Sequence, residues 1–497
     1  VKTLRDDQAE ALADLRHVVG KGKRRVMMQA PTGFGKTVLS SAIVQNAQAK
    51  GKRVLFTVPA ISLVDQTVDA FWSQGIRDIG VIQGQHILTN WSQPVQVASV
   101  QTLQRRPLPK ADLVLIDEAH KWFRFYEKWF FDPEWKDIPI IGLSATPWTK
   151  GLGKYYEELI VAGTTESLIE AGRLSPFRVF APSSPDLKGV RTVAGDYHEG
   201  DLSEAMNKSP LIADVVQTWL RLGEGRPTLC FAVDRAHAKR LQQQFEEAGV
   251  PCGYQDAHTS DAERRELKRK FHNGEVKVVC NVGTLTTGVD WDVRCVIFAR
   301  PTKSKMLFVQ IAGRGLRTAD GKDCCIFLDH SDNHLRLGFV TDIHTTKLDD
   351  GKTNSAETET AIALPKKCPQ CSYLRPPRTG QCPNCGFKAE PVSKVEVQEG
   401  KLEELTKKPK NKAAKQFPNK AETFGALKLY ARTHGYNSGW AAHKYRELYG
   451  VWPANELKHC AEAKLTPELE SWVKSRQIAW AKRRSHRPHE HQMVEAI

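Results

Sequence analysis

The stretch Ala30-Pro31-Thr32-Gly33-Phe34-Gly35-Lys36-Thr37 follows a short apolar run, Val26-Met27-Met28, and precedes the helical pattern Val38-Leu39-Ser40-Ser41-Ala42-Ile43-Val44. It is G-x-x-x-x-G-K-[ST] with alanine in the first glycine position. Gly33 and Gly35 permit a tight turn whose backbone N–H groups converge on a phosphate, and the helix behind adds its positive N-terminal dipole. Lys36 is placed to reach β- and γ-phosphates, and the Thr37 hydroxyl to hold Mg²⁺. Thr32, Gly33, Gly35, Lys36 and Thr37 are therefore candidate nucleotide-binding residues. A glycine loop with an incidental lysine is the bland alternative, and the loop alone does not say what the nucleotide drives.

The surrounding pattern decides the fold class. Further apolar runs follow at Arg53–Val58, Val95–Val100, Leu113–Ile116 and Ile138–Leu143, separated by helical stretches. Such alternation predicts a parallel sheet covered on both faces, with ligands beyond the strands' carboxyl ends. Two of the runs end in chemistry: Asp117-Glu118-Ala119-His120 and Ser144-Ala145-Thr146-Pro147. Asp117 can share a Mg²⁺ with Thr37, and Glu118 can polarise an attacking water as general base. Carboxylates capping a helix explain an isolated Asp-Glu, but not readily one 80 residues beyond Thr37 in the same alternating pattern.

A second alternation runs through Leu211–Leu222, Thr228–Ala232, Ala236–Ala248, Val276–Cys280 and Cys295–Ala299, without its own phosphate loop. It ends in Gln310-Ile311-Ala312-Gly313-Arg314-Gly315-Leu316-Arg317. Two arginines three apart on one helical face can reach the γ-phosphate held by the first sheet, making ATP a clamp between two domains. A basic surface helix is the alternative.

In order and spacing, APTGFGKT, DEAH and SATP resemble motifs I, II and III of superfamily 2 helicases, and QIAGRGLR resembles motif VI. The resemblance implies two tandem RecA-like domains and an ATPase. It makes Gln8 an adenine-reading glutamine with Arg5 beside it, and places Pro59 and Gln101-Thr102 on a nucleic-acid backbone. His120, Ser144, Thr146 and Gln310 would couple nucleotide state to domain closure, with Arg314 and Arg317 as arginine fingers. Thr286-Thr287-Gly288-Val289-Asp290 resembles motif V, with Gly288 and Asp290 facing nucleotide and strand. Glutamine at 310 and DEAH rather than DEAD favour DNA over RNA as partner, although some RNA helicases share that glutamine.

Lys121–Phe131 carries seven aromatics and three cations, a pattern that fits base stacking or plain core packing. Further on, Cys368-Pro-Gln-Cys371 and Cys382-Pro-Asn-Cys385 form two knuckles ten residues apart. Four thiolates make the closed shell of structural Zn²⁺, with an iron–sulfur or redox pair as alternatives. The other seven cysteines are scattered, which suits a reducing cytoplasm, in a bacterial or phage-infected cell, better than a disulfide framework. Two helicase domains followed by a zinc knuckle are similar to the bacterial RadD-type repair helicases. The tail differs, and a phage or mobile-element relative fits equally well.

The net charge of +15 is concentrated at the end, where residues 401–497 hold 19 Lys and Arg against 10 Asp and Glu. That excess points to a polyanion, nucleic acid before membrane, or else to a solvated tail. No apolar run approaches the ~20 residues of a membrane span, and the N-terminus lacks a signal-peptide core. The expected organisation is a RecA-like domain at 1–160, a linker at 161–205, a second RecA-like domain at 206–345, a zinc ribbon at 360–390, a basic linker at 391–420 and a small helical module at 421–497. The module's apolar and aromatic residues Phe424, Leu427, Leu429, Tyr430, Tyr436, Trp440, Tyr445, Tyr449 and Trp452 can build a core. Lys428, Arg432, Lys444 and Arg446 would lie on its surface, against DNA backbone or a protein partner. The reading is an ATP-driven DNA helicase or translocase with Mg²⁺ and Zn²⁺. An RNA helicase and an ATP-switched assembly factor that never unwinds are the alternatives.

Overall fold

The computed structural model describes residues 3–286, 290–352, 363–388, 416–437 and 439–485. The chain divides into two units, Val1–Pro391 and Val392–Ile497.

In the first unit, β1 (Arg25–Gln29), β2 (Val54–Val58), β3 (Ile79–Ile82), β4 (Val95–Ser99), β5 (Leu113–Asp117), β6 (Ile140–Ser144) and β7 (Glu158–Val161) form a parallel sheet in the order β3-β4-β2-β5-β6-β1-β7. Helices cover both faces, so β1, β2, β4 and β6 are buried at every residue and are mostly apolar. The register aligns the carboxyl ends: Gln29 lies opposite Ser144, and Asp117 opposite Leu143. The phosphate loop, the acidic pair and the Ser144 loop therefore open at one edge.

A second parallel sheet follows, built from β8 (Phe177–Phe180), β11 (Thr228–Phe231), β12 (Cys252–Gln255), β13 (Val278–Asn281), β14 (Cys295–Phe298) and β15 (Cys325–Asp329), in the order β12-β13-β11-β14-β15-β8. A short antiparallel ribbon, β9 (Thr192–Val193) with β10 (Asp196–Tyr197), stands apart from it. The stretch 161–205, expected as a linker, departs from that expectation: β8 lies within it and is an edge strand of the second sheet, paired with β15. Four residues of strand between loops carry too little periodicity to announce themselves.

The aromatic segment after the acidic pair is core. Tyr126 and Trp129 are each 1% exposed, Trp122 stacks on Tyr155 at 3.8 Å, and Phe131 alone of the seven is largely exposed.

The cysteine knuckles dock on the second sheet's edge. β16 (Lys366–Lys367) pairs antiparallel with β17 (Leu374–Arg375), Tyr373 bridges to Phe180, and the Ala181 N–H donates to the Ser372 carbonyl at 2.9 Å. The knuckle thereby covers an edge strand that would otherwise present unpaired backbone groups.

The second unit holds helices Lys420–Thr433, Trp440–Tyr449 and Pro467–Ser485. Phe424, Leu427, Tyr445, Leu448, Leu469 and Val473 are buried among them. Lys428, expected on the surface, is half-buried and donates to the Lys458 and Cys460 carbonyls at 3.1 Å, clasping the segment between the last two helices. The basic linker lies mostly outside the described residues.

Candidate active site and metal centre

Gly33 and Gly35 both take φ of +88°, and Gly35 caps the helix Lys36–Gln48 from the left-handed region. A side chain at Gly35 would be strained there and would meet the Gln8 amide at 2.5 Å. Gln8 itself is buried. Its Nε2 donates to the Phe34 carbonyl at 2.7 Å, its Oε1 accepts from the Arg5 N–H at 3.2 Å, and the Arg5 guanidinium donates to the same Phe34 carbonyl at 2.7 Å. In this structure both residues hold the tip of the phosphate loop, each through a direct bond.

The acidic pair sits opposite. The Glu118 N–H donates to Asp117 Oδ1 at 2.9 Å, and Glu118 adopts φ of +47°, a left-handed conformation that costs a non-glycine residue about 1 kcal/mol. That turn points its carboxylate at Lys36 Nζ, 4.0 Å away, and at His120 Nδ1, 3.3 Å away. Burial and the neighbouring Glu118 push the Asp117 carboxyl up, against Lys36. Burial acts the same way on Glu118, but Lys36, His120, Lys121 and Arg314 outweigh it and hold Glu118 below its ordinary value. The pair is thus split, with Glu118 the carboxylate held in its charged form.

Behind Glu118 runs a relay into the second sheet's domain. His120 Nδ1 lies 2.9 Å from Ser144 Oγ, which accepts the Thr146 N–H at 3.0 Å. On the other side of the ring, Gln310 Nε2 lies 3.3 Å from His120 Nε2 and 3.4 Å from Thr146 Oγ1. Burial lowers His120 to about 4, so the ring is neutral near neutral pH. With the Gln310 amide donating to Nε2, the ring proton sits on Nδ1, facing Glu118 and Ser144.

Gln310 belongs to the helix Lys305–Gly315, which packs directly on the phosphate loop: a side chain at Gly313 would meet Thr32 at 2.9 Å. Arg314 is 7% exposed, and burial with neighbouring Arg317 lowers it to about 10, still charged at neutral pH. Arg317 lies past the helix end, not on one face with Arg314 as its spacing predicts. Lys322 Nζ donates to the Gly315 and Arg317 carbonyls at 2.6 Å each, where the helix ends. Arg317 instead ion-pairs with Asp290. Gly288 lies outside the described residues.

These groups surround one cavity of about 610 Å³, lined by Thr32, Gly33, Gly35, Lys36, Thr37, Asp117, Glu118, Asp290, Arg314 and Arg317. The volume suits a nucleotide. A cationic set with a carboxylate–hydroxyl pair (Asp117, Thr37) is the donor chemistry of a triphosphate with its divalent metal. Lys121 and Arg173 also line it, and no local pattern marks either as a site residue. Pro59 lines it too, and its carbonyl accepts from Gln101 Nε2 at 2.6 Å.

The four knuckle cysteines bring their Sγ atoms within 4.8 Å of one another, with Cys368–Cys385 and Cys371–Cys382 at 3.7 Å. Four thiolates about 2.3 Å from one tetrahedral Zn²⁺ lie about 3.8 Å apart. The donors fit a single zinc ion. Neither knuckle lines the nucleotide cavity. Replacing Cys382 and Cys385 by serine is expected to remove one zinc per chain by elemental analysis and to leave the basal ATPase rate within about twofold. Collapse of that rate would place the metal in the motor's own core.

Two α/β domains sharing a nucleotide cavity, one giving the loop and carboxylates and the other giving arginines, define a two-domain ATPase motor. Residues 1–149 match the family "Type III restriction enzyme, res subunit", and residues 211–319 match "Helicase conserved C-terminal domain". The chain is 31% identical over 376 residues to the 51.5 kDa protein of a Lactococcus phage, isolate 7-9, covering 72% of this chain and 77% of that protein. It is 29% identical over 352 residues to IRC3 of Saccharomyces cerevisiae, named as an ATP-dependent helicase, covering 66% of this chain and 51% of that one. Among solved structures, a fragment of an HsdR subunit of a type I restriction enzyme from Vibrio vulnificus YJ016 superposes with a TM-score of 0.55 at 22% identity, covering 71% of this chain and 70% of that one. The chain belongs to the superfamily 2 helicases, in one family with the phage protein, and is a nucleic-acid-dependent ATPase. Among the described residues no helix is long and apolar enough to cross a membrane.

Proposed function

We propose that the protein is an ATP-driven DNA helicase or translocase of RadD type, acting on single-stranded or branched DNA during repair, recombination or replication in a bacterial or phage-infected cell. One observation carries the reading: the Glu118–His120–Gln310 relay joins the hydrolytic carboxylate to the helix that bears Arg314. In this reading Glu118 takes the proton of the attacking water, and Thr37 and Asp117 hold Mg²⁺, which neutralises phosphate charge when bound. Lys36 leaves Glu118 for the phosphates, while Arg314 and Arg317 close on them from the second domain. Closure and release of the helix Lys305–Gly315 then move the second sheet's domain relative to the first. Arg5 and Gln8 set the loop tip against the base, and Asp290 exchanges Arg317 between itself and the nucleotide.

DNA is favoured over RNA by Gln310 and by the restriction-enzyme descriptions of the matched family and the solved relative. The deciding measurement is the ATPase rate against single-stranded, duplex and forked DNA and RNA, with Lys36→Ala as blank. Stimulation by DNA above RNA supports the reading, stimulation by RNA alone makes it an RNA motor, and no stimulation leaves a nucleotide switch. The relay has its own test. Gln310→Leu is expected to cut the DNA-stimulated rate by about three- to thirtyfold while nucleotide affinity stays within about twofold. An unchanged stimulated rate would remove Gln310 from the coupling path.

A further inference from the structure

Where the helix Lys420–Thr433 turns into the helix Trp440–Tyr449, four rings cluster with nearly parallel planes, and Tyr430 and Tyr436 lie 6.5 Å apart beside Trp440. His434 stacks on Tyr430 with centroids 3.9 Å apart and planes at 17°. Tyr430 and Trp440 lie at 5.5 Å and 21°, and Trp440 and Tyr436 at 4.8 Å and 9°. Tyr430 is buried, so the cluster is rooted in the module's core. Tyr436 lies at its edge, 41% exposed, and among the described residues its only ring contacts are Tyr430 and Trp440. Gln477 Nε2 donates to the Tyr436 hydroxyl at 3.0 Å and fixes the ring's orientation.

Cations lie against two other rings of this module. Lys444 Nζ lies 6.0 Å from the Trp440 centroid and pairs with Glu447 at 2.7 Å. Further along the same helix, Arg446 lies over Trp452 at 4.6 Å, with His443 edge-on to that ring at 5.0 Å, and Trp452 is 49% exposed. Residues 416–485 carry 12 Lys and Arg against 6 Asp and Glu. None of the rings at this corner contributes to the cavity of the motor.

We propose that this corner binds single-stranded nucleic acid, with a base stacking on the exposed ring of Tyr436 and the phosphates answered by the cations around the ring cluster. A base offers a flat π-face to an oriented ring, and interleaved cations answer the phosphates, which is how strands are held without sequence preference. An exposed, oriented ring in a module with twice as many cations as carboxylates suits an anionic ligand with a planar face. The inference rests on reading the chain as a nucleic-acid motor but uses residues the motor does not.

The test uses the whole 497-residue chain. Photocross-linking to a single-stranded oligonucleotide bearing iododeoxyuridine, mapped by mass spectrometry, is expected to mark the peptide holding Tyr436 and Trp440. Binding is then measured by anisotropy for Tyr436→Leu and Tyr436→Phe. The leucine variant is expected to bind single strands about fivefold or more weakly, and the phenylalanine variant within about twofold of wild type, because it keeps the ring without the Gln477 bond. An abasic strand of equal length should not distinguish wild type from Tyr436→Leu. Cross-links confined to residues 1–391, a leucine variant that binds like wild type, or an abasic strand equally weakened would each overturn the proposal. Equal loss in both variants would assign the effect to the Gln477 bond and overturn it as well. If wild type binds no nucleic acid at all, the motor reading fails first.

Discussion

Glu118→Gln is expected to lower ATP turnover by about 10²–10⁴-fold while ATP still binds. Glutamine keeps the shape of the side chain and loses the proton acceptor. Lys36, 4.0 Å from the carboxylate, loses an anionic neighbour, so its attraction for phosphates rises rather than falls. Nucleotide affinity should therefore hold or tighten, and equilibrium binding of a fluorescent ATP analogue beside steady-state hydrolysis separates the two effects. Wild-type turnover by this variant would assign the base elsewhere, and lost binding would mean that the charge at 118 builds the site rather than working in it.

Arg314→Ala is expected to lower the nucleic-acid-stimulated rate by about 10³–10⁵-fold, the scale of an arginine finger. Arg314 is buried, and it and Glu118 feel each other's charge across the cavity, so in the proposed mechanism both act on one phosphate. Arg314→Lys should not rescue it, because an ammonium lacks the planar fork that spans two phosphate oxygens. Arg317→Ala is expected to cost less. Arg317 lies beyond the helix end, is more exposed, and already has Asp290 as partner. Equal losses at both positions would show that Arg317 leaves Asp290 fully when ATP binds. Single-turnover hydrolysis at saturating DNA and ATP reads this without interference from product release.

Lys322 illustrates what lies outside local sequence. It is half-buried, and its ammonium donates to three carbonyls, those of Val293, Gly315 and Arg317. Its place in the chain, Gly321-Lys322-Asp323, reads as an ordinary charged turn. The same holds for Arg173, which reaches the cavity from the end of a short helix. Such roles arise from partners distant along the chain, which composition and periodicity do not record.

The aromatic segment after the acidic pair shows the converse. Trp122, Tyr126 and Trp129 share a helical spacing that suits either a core or a stacking surface. The structure decides for a core, because the segment lies over β5 and β6 with Tyr155 and Tyr156 closing on it. The base-stacking chemistry lies instead at Tyr436 and Trp440, whose spacing is unremarkable and whose alignment depends on the turn between two helices.

The phosphate loop, the acidic pair at the end of a buried strand, the second alternating region and the paired cysteine knuckles were legible in the chain itself. Each is a local requirement: backbone conformation, strand burial and ligand spacing are satisfied within a few residues. The tertiary structure alone decided how they join. It placed β8 from the supposed linker at the second sheet's edge, set Gly313 against Thr32, and connected Glu118 to Gln310 through His120. It also turned Gln8 and Arg5 onto the loop tip and parted Arg317 from Arg314 at the helix end. Those arrangements depend on close packing and hydrogen bonds between segments far apart in sequence, and such contacts leave no period or spacing to read.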